Sequence, residues 1–228
     1  MAIEVCSYRL TLRGKPAGSE VLRTHHRGRT THLEARLLLQ GGRGQIATTQ
    51  QSQLHRNKLF SYRFLEITDH RGVRRSFEVI FDRQSGLVKG IINFRDRATV
   101  PYLKSYRDPL SLLHQIRNLD DAEEIRRIPL LGKDVTVKSL GVTPLDTTLG
   151  KREARAYLLY PGGSYVYVDT TPPHLILELR QRLDGHYLDA QLVKIEQEHK
   201  ELVWESSSTR PPRQRSARRR RRRRKAGN

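Results

Sequence analysis

Apolar and polar residues alternate along most of this chain, and turn-forming residues break the alternation every eight to twelve positions. Successive side chains of a strand point to opposite faces, so the pattern gives each segment one apolar face and predicts strands sharing a core. Short links between the segments predict antiparallel neighbours. In the first segment Cys6, Tyr8, Leu10 and Leu12 fall on one face, and Ser7, Arg9 and Thr11 on the other. Gly14-Lys15-Pro16-Ala17-Gly18 breaks it, because glycine permits positive φ and proline fixes its own. Residues 19–26 return, Arg27-Gly28-Arg29 turns again, and residues 30–40 place Leu33, Ala35, Leu37 and Leu39 together. Gly41-Gly42-Arg43-Gly44 leads into a polar strand over residues 45–56, with Asn57-Lys58 as the next hairpin turn. Phe60, Tyr62 and Phe64 alternate in residues 59–69, and Phe77, Val79 and Phe81 in residues 73–82. Residues 87–94 complete seven strands that read as a meander.

The period changes once. Asp108-Pro109-Leu110-Ser111-Leu112-Leu113-His114-Gln115-Ile116-Arg117 reads as a helix, with Asp108 capping the free N–H groups and Pro109 at the first helical position. Leu110, Leu113, Ile116 and Arg117 lie three to four apart and form one stripe with a basic end, and Asp120-Asp121 closes the segment. Strands resume over residues 135–140, 152–160, 165–169, 175–182 and 187–198, with Pro161-Gly162-Gly163 and Asp184-Gly185-His186 as turns. Residues 196–204 fit either a continuing strand or a short helix. The reading is an all-β, mainly antiparallel domain over residues 1–205. It is a curved meander sheet or half-open barrel wrapped around one inserted helix near residues 108–118. No solenoid-type repeat is present.

From residue 206 apolar residues vanish and Ser, Pro and Arg take over, so nothing offsets the entropy of ordering and residues 206–228 read as a disordered tail. The tail holds Arg210, Arg213, Arg215, Arg218, Arg219, Arg220, Arg221, Arg222, Arg223, Arg224 and Lys225, and no acidic residue. Those eleven charges leave +8 of the chain's +19 for residues 1–205. A planar guanidinium can donate two parallel hydrogen bonds to phosphate, so the expected partner is nucleic acid or another polyanion. Binding of this kind is non-specific, because no element is placed to reach base edges and no aromatic side chain is interleaved for stacking. A role as a solubility or tethering element, and contact with an anionic membrane surface, are the competing readings.

The body offers little chemistry. The single cysteine, Cys6, forms no intrachain disulfide and reads as a small buried hydrophobe. His25 and His26 point to opposite faces, so with His32 they do not converge on one ion, and no metal is expected. The turn Gly14–Gly18 carries lysine in the wrong order for a phosphate loop. Ser111 and His114 share a helix face, where a surface hydrogen bond explains them better than catalysis. Asp120-Asp121 and Glu123-Glu124 read as a solvated loop. No cofactor and no enzymatic activity are expected. Tyr8, Leu10, Phe60, Tyr62, Phe64, Phe77, Val79 and Phe81 could line a cup for an apolar small molecule, although the simpler reading packs them on the helix. The N-terminus lacks a basic region, an apolar region and a cleavage site, and no run of about 18 apolar residues spans a membrane, which predicts a cytoplasmic protein without a transmembrane segment.

The opening Tyr8-Arg9-Leu10-Thr11-Leu12-Arg13-Gly14-Lys15-Pro16-Ala17-Gly18 resembles the first strand and Ala-Gly turn of an uncharacterised, usually exported bacterial β-rich domain-of-unknown-function family. Phe77-Glu78-Val79-Ile80-Phe81-Asp82-Arg83 is similar to its phenylalanine-rich strand, and residues 108–117 to its Asp-x-Leu-Ser-Leu helix. The likeness spans roughly residues 7–195. It implies a curved antiparallel sheet with an inserted helix, no known catalysis and no assigned functional residues. The chain departs from the family in lacking an export signal and in carrying the arginine tail.

Neutralising about six to eight phosphates predicts that log affinity for duplex DNA falls with log salt at a slope of about −5 to −7. Deleting residues 218–225 should abolish this salt-sensitive retention. Equal retention of the truncated chain would transfer the site to the body.

Overall fold

A computed structural model describes residues 2–199 apart from 42–43, 94, 120–123, 131 and 184. Eight strands precede the helix: β1 (Ile3–Leu12), β2 (Lys15–Arg27), β3 (Thr30–Gly41), β4 (Gly44–His55), β5 (Ser61–His70), β6 (Val73–Asp82), β7 (Leu87–Ile92) and β8 (Asp96–Pro101). After α1 (Pro109–Arg117) come β9 (Ile125–Leu130), β10 (Lys133–Thr147), β11 (Gly150–Tyr160), β12 (Ser164–Asp169), β13 (Ile176–Leu183) and β14 (His186–Glu198). All fourteen strands belong to one sheet, ordered β8-β7-β6-β5-β4-β3-β2-β1-β14-β13-β12-β11-β10-β9. Every pairing is antiparallel, and β8 and β9 are the free edges. The chain therefore begins at the middle of its own sheet: Ile3 pairs with Glu198 and Leu12 with Leu188, joining the first meander to the second.

The all-β expectation holds, with three differences. Two edge strands, β8 (Asp-Arg-Ala-Thr-Val-Pro) and β9 (Ile-Arg-Arg-Ile-Pro-Leu), show little alternation. A strand paired on one side tolerates charge and proline, which weakens its pattern. β10 extends past Leu140 to Thr147 through a register shift between Ser139 and Val142, where Gly141 takes φ +85°. That shift breaks the parity, and Leu140 and Val142 are exposed. Leu12 also leaves the core at 38% exposure, because the β1–β2 register shifts after Leu10 and Ala17 turns inward instead. β14 continues as strand to Glu198. Residues 200–228, including Trp204 and every tail cation from Arg210 to Lys225, lie outside the described residues, as do Asp120, Asp121 and Glu123.

Gly18 lets the strands close up. It pairs with Leu10 on one side and Leu39 on the other at φ +148°, and a Cβ there would sit 1.8 Å from the Leu38 carbonyl oxygen. Only glycine allows that approach.

The helix is held at both ends by polar groups of the sheet. Asp108 caps it: Ser111 N–H donates to Asp108 Oδ1 at 3.0 Å, and Asp108 N–H donates to Ser111 Oγ at 2.8 Å. Asp108 Oδ2 also accepts from Ser52 Oγ of β4 at 2.6 Å and Ser61 Oγ of β5 at 2.5 Å. All four residues are buried. Ser111 thus serves the cap and its hydroxyl donates to the Asp108 carbonyl, so the expected surface pair with His114 is replaced. At the far end Arg155 of β11 donates to the carbonyls of Leu119 (2.6 Å) and Arg117 (3.4 Å), satisfying free helix-end acceptors. Arg117 itself donates to both carboxylate oxygens of Glu4 (2.6 and 3.1 Å) and to the carbonyls of His174 and Pro173. Leu110 packs with Leu33, Phe64, Val79 and Phe81, while Leu112 and Ile116 pack with Tyr8, Val137 and Leu177.

The cap is worth its N–H bonds and the cost of leaving two buried hydroxyls without an acceptor. Asp108→Ala should therefore destabilise the fold by about 3 kcal/mol or more, and Ser61→Ala by about 1–2 kcal/mol. Urea unfolding measures both, and a loss below about 1 kcal/mol for Asp108→Ala would refute the anchoring role.

Candidate binding site inside the sheet

The helix does not fill the space that the sheet encloses. A cavity of about 350 Å³ remains between its N-terminal half and the inner face of the sheet. Leu10 of β1, Leu37 of β3, Leu159 of β11, Leu179 of β13 and Ala190 of β14 line it, and Leu110, Leu112 and Leu113 close it from the helix. Thr48 and Gln50 of β4, Gln181 of β13 and Glu20 of β2 add polar atoms, and the exposed Lys133 stands at the start of β10. Ligand pockets of small molecules begin at about 300 Å³ and are mostly apolar with a few polar groups. The expected aromatic cup is largely something else: Phe64, Val79 and Phe81 are core around Leu110, Phe60 is buried beneath Arg83, and Phe77 is 37% exposed. Of the eight proposed lining residues, Leu10 faces this cavity and Tyr8 a smaller void beneath it.

Glu20 is the one acidic side chain of the lining among the described residues. It sits in register between Tyr8 and Leu37. Leu37 has no polar atom, and the Tyr8 hydroxyl is already donated to the Ile176 carbonyl at 3.1 Å. Among the described residues no hydrogen bond or ion pair reaches the Glu20 carboxylate, and burial pushes it up to about 7. Nearby interior polar groups are matched: Gln50 Nε2 donates to Glu66 Oε2 at 2.7 Å, and the Thr48 and Thr68 hydroxyls lie 3.2 Å apart. Sequence reading overlooked Glu20, yet its parity marks it. Glu20 lies two residues from Leu22, and both alternate in phase with the inward face.

Beyond the helix lies a second compartment of about 340 Å³, lined by Glu4, His26, His114, Arg117 and His174. Its charges are tied up by the Arg117–Glu4 pair. His26 Nδ1 lies 2.9 Å from Thr31 Oγ1, and burial lowers the His26 imidazole. Burial first, and then Arg117 and His26, lower His114 to about 3, so this ring is neutral. His25 projects from the opposite face of β2, with its ring 6.5 Å from that of His32. Among the described residues no group of three or more His, Cys, Asp or Glu side chains could hold a metal ion. Cys6 is buried, and burial together with Glu4 raises its thiol to about 11. No described helix is long and apolar enough to cross a membrane.

A carboxyl raised on folding stabilises the native state fully below its unfolded pKa and loses that contribution as pH rises. For Glu20 the window runs from about 4.5 to about 7. Glu20→Gln should therefore leave Tm unchanged near pH 4 and raise it by a few degrees at pH 8, on the order of 2 kcal/mol. A variant less stable than the parent at pH 8 would show that the carboxylate has a protein partner.

No family model and no curated protein matches the chain. Among solved structures it is similar to a β-barrel-like protein of domain of unknown function DUF1849 from Brucella abortus. The two share a TM-score of 0.59 at 12% identity, over 87% of this chain and 98% of that one. At that identity the likeness is one of fold. It agrees with the family resemblance read from the sequence, and this chain has the β-barrel-like fold of a bacterial β-rich domain of unknown function.

Proposed function

We propose that the β-rich body is a non-enzymatic carrier or sensor for an apolar small molecule held between the sheet and α1. The carrying observation is the cavity of about 350 Å³ beside a helix anchored at both ends. This partly open pocket falls in the size range of small-molecule sites, is mostly apolar, and takes leucines from both halves of the sheet. Catalysis is disfavoured because Glu20 has no nucleophile or base in bonding contact among the described residues.

A second reading concerns the tail. Its run of seven arginines, from Arg218 to Arg224, supports non-specific binding of nucleic acid or another polyanion, in a cytoplasmic setting where such partners are met. The two readings are compatible, since one uses the interior of the body and the other an appended segment.

Nile red, a neutral apolar dye, tests the cavity. It should bind the full chain saturably and be displaced by decanol. Leu37→Trp, which fills the void, should weaken binding about tenfold, equivalent to about 1.4 kcal/mol. Non-saturable uptake, or equal affinity in the filled variant, would overturn the proposal.

A further inference from the structure

Building on the cavity reading, we infer that the natural occupant is a cationic amphiphile, with an ammonium group held at Glu20 and its apolar chain along Leu10, Leu37, Leu113 and Leu179.

Depth comes first. Glu20 lines both the main cavity and the void of about 20 Å³ beneath it, alongside Leu22, Leu113 and Ile176. Glu20 is therefore a half-buried side chain on the wall that the two share, within reach of a head group whose chain lies along the leucines. The second point is the contrast with other acidic groups of the interior. Glu4 is held by Arg117, Glu66 accepts from Gln50, and Asp108 accepts from Ser52 and Ser61. Glu20 alone among these has no donor from the described residues, and neither of its strand neighbours can supply one. Glu20 is half-buried, so its carboxylate loses part of its hydration without gaining a partner, and an opposite charge beside it would offset that loss. An ammonium group would supply both the charge and the donors.

Other head groups fit less well. An alcohol would donate one neutral hydrogen bond and leave the charge uncompensated. A second carboxylate would be repelled. Lys133, the cation among the lining residues, is exposed, so solvent and salt screen its influence on an anionic head.

Calorimetric titration of the full chain with decylamine, decanol and decanoate at pH 8 tests the inference. At that pH the amine is cationic and the Glu20 carboxyl is mostly ionised. Decylamine should bind about tenfold or more tightly than decanol, with decanoate weakest, and Glu20→Gln should bring the amine-to-alcohol ratio close to one. Decanol or decanoate binding as tightly as the amine, or a ratio that survives in Glu20→Gln, overturns the inference while leaving the cavity reading intact. Failure of all three ligands to bind overturns the cavity reading itself, and the inference with it.

Discussion

The carboxylate of Asp108 is the point at which helix and sheet become one structure. It caps the first turn of α1 and at the same time accepts from Ser52 and Ser61 on adjacent strands. At the other end of α1, Arg155 and Arg117 tie the helix to β11, β1 and the turn at residues 173–174. A sheet of fourteen strands with two free edges has no closure to hold its curvature. The helix supplies a brace between its two meanders, and the segment before it adds ladder-like contacts. Ser61 N–H donates to the Tyr106 carbonyl at 3.1 Å, and Arg107 N–H to that of Pro129 at 2.8 Å.

Polar anchoring explains why a cavity survives. Packing alone would draw a short amphipathic helix down onto the leucines until the void closed, since empty space forfeits dispersion contacts. Directional bonds to fixed groups at both helix ends resist that collapse. The interior is therefore divided by α1 into an apolar chamber at its N-terminal half and a polar one at its C-terminal half. In the polar chamber Arg117 pairs with Glu4, whereas no described residue pairs with Glu20 in the apolar one. An acidic side chain left unpaired beside an apolar pocket is the kind of stability cost that binding sites retain.

Much of this was legible in local sequence. The Asp108-Pro109 pair and the spacing of Leu110, Leu113 and Ile116 marked the helix, because capping and periodicity are properties of a few consecutive residues. The paired hairpins from β1 to β7 were visible for the same reason. The edge strands β8 and β9 were not, since a strand with one neighbour is not obliged to alternate. The phenylalanines looked like a ligand cup, but Phe64 and Phe81 meet Leu110 and form core. An apolar face has the same pattern whether protein or ligand covers it. Glu20 shares the parity of Leu22, but the register of three strands decides which partners flank it and that neither supplies a donor.

By itself the sequence determined the strand class, the position and N-terminal cap of α1, and the charge of the tail. Each of these rests on neighbours along the chain. The tertiary structure alone decided that β1 lies between β2 and β14, that the sheet stays open, and that a carboxylate is stranded beside an apolar void. Those outcomes depend on which distant segments meet, as Tyr8 meets Ile176 across 168 residues. Burial and partnership are properties of such meetings, and no local pattern encodes them.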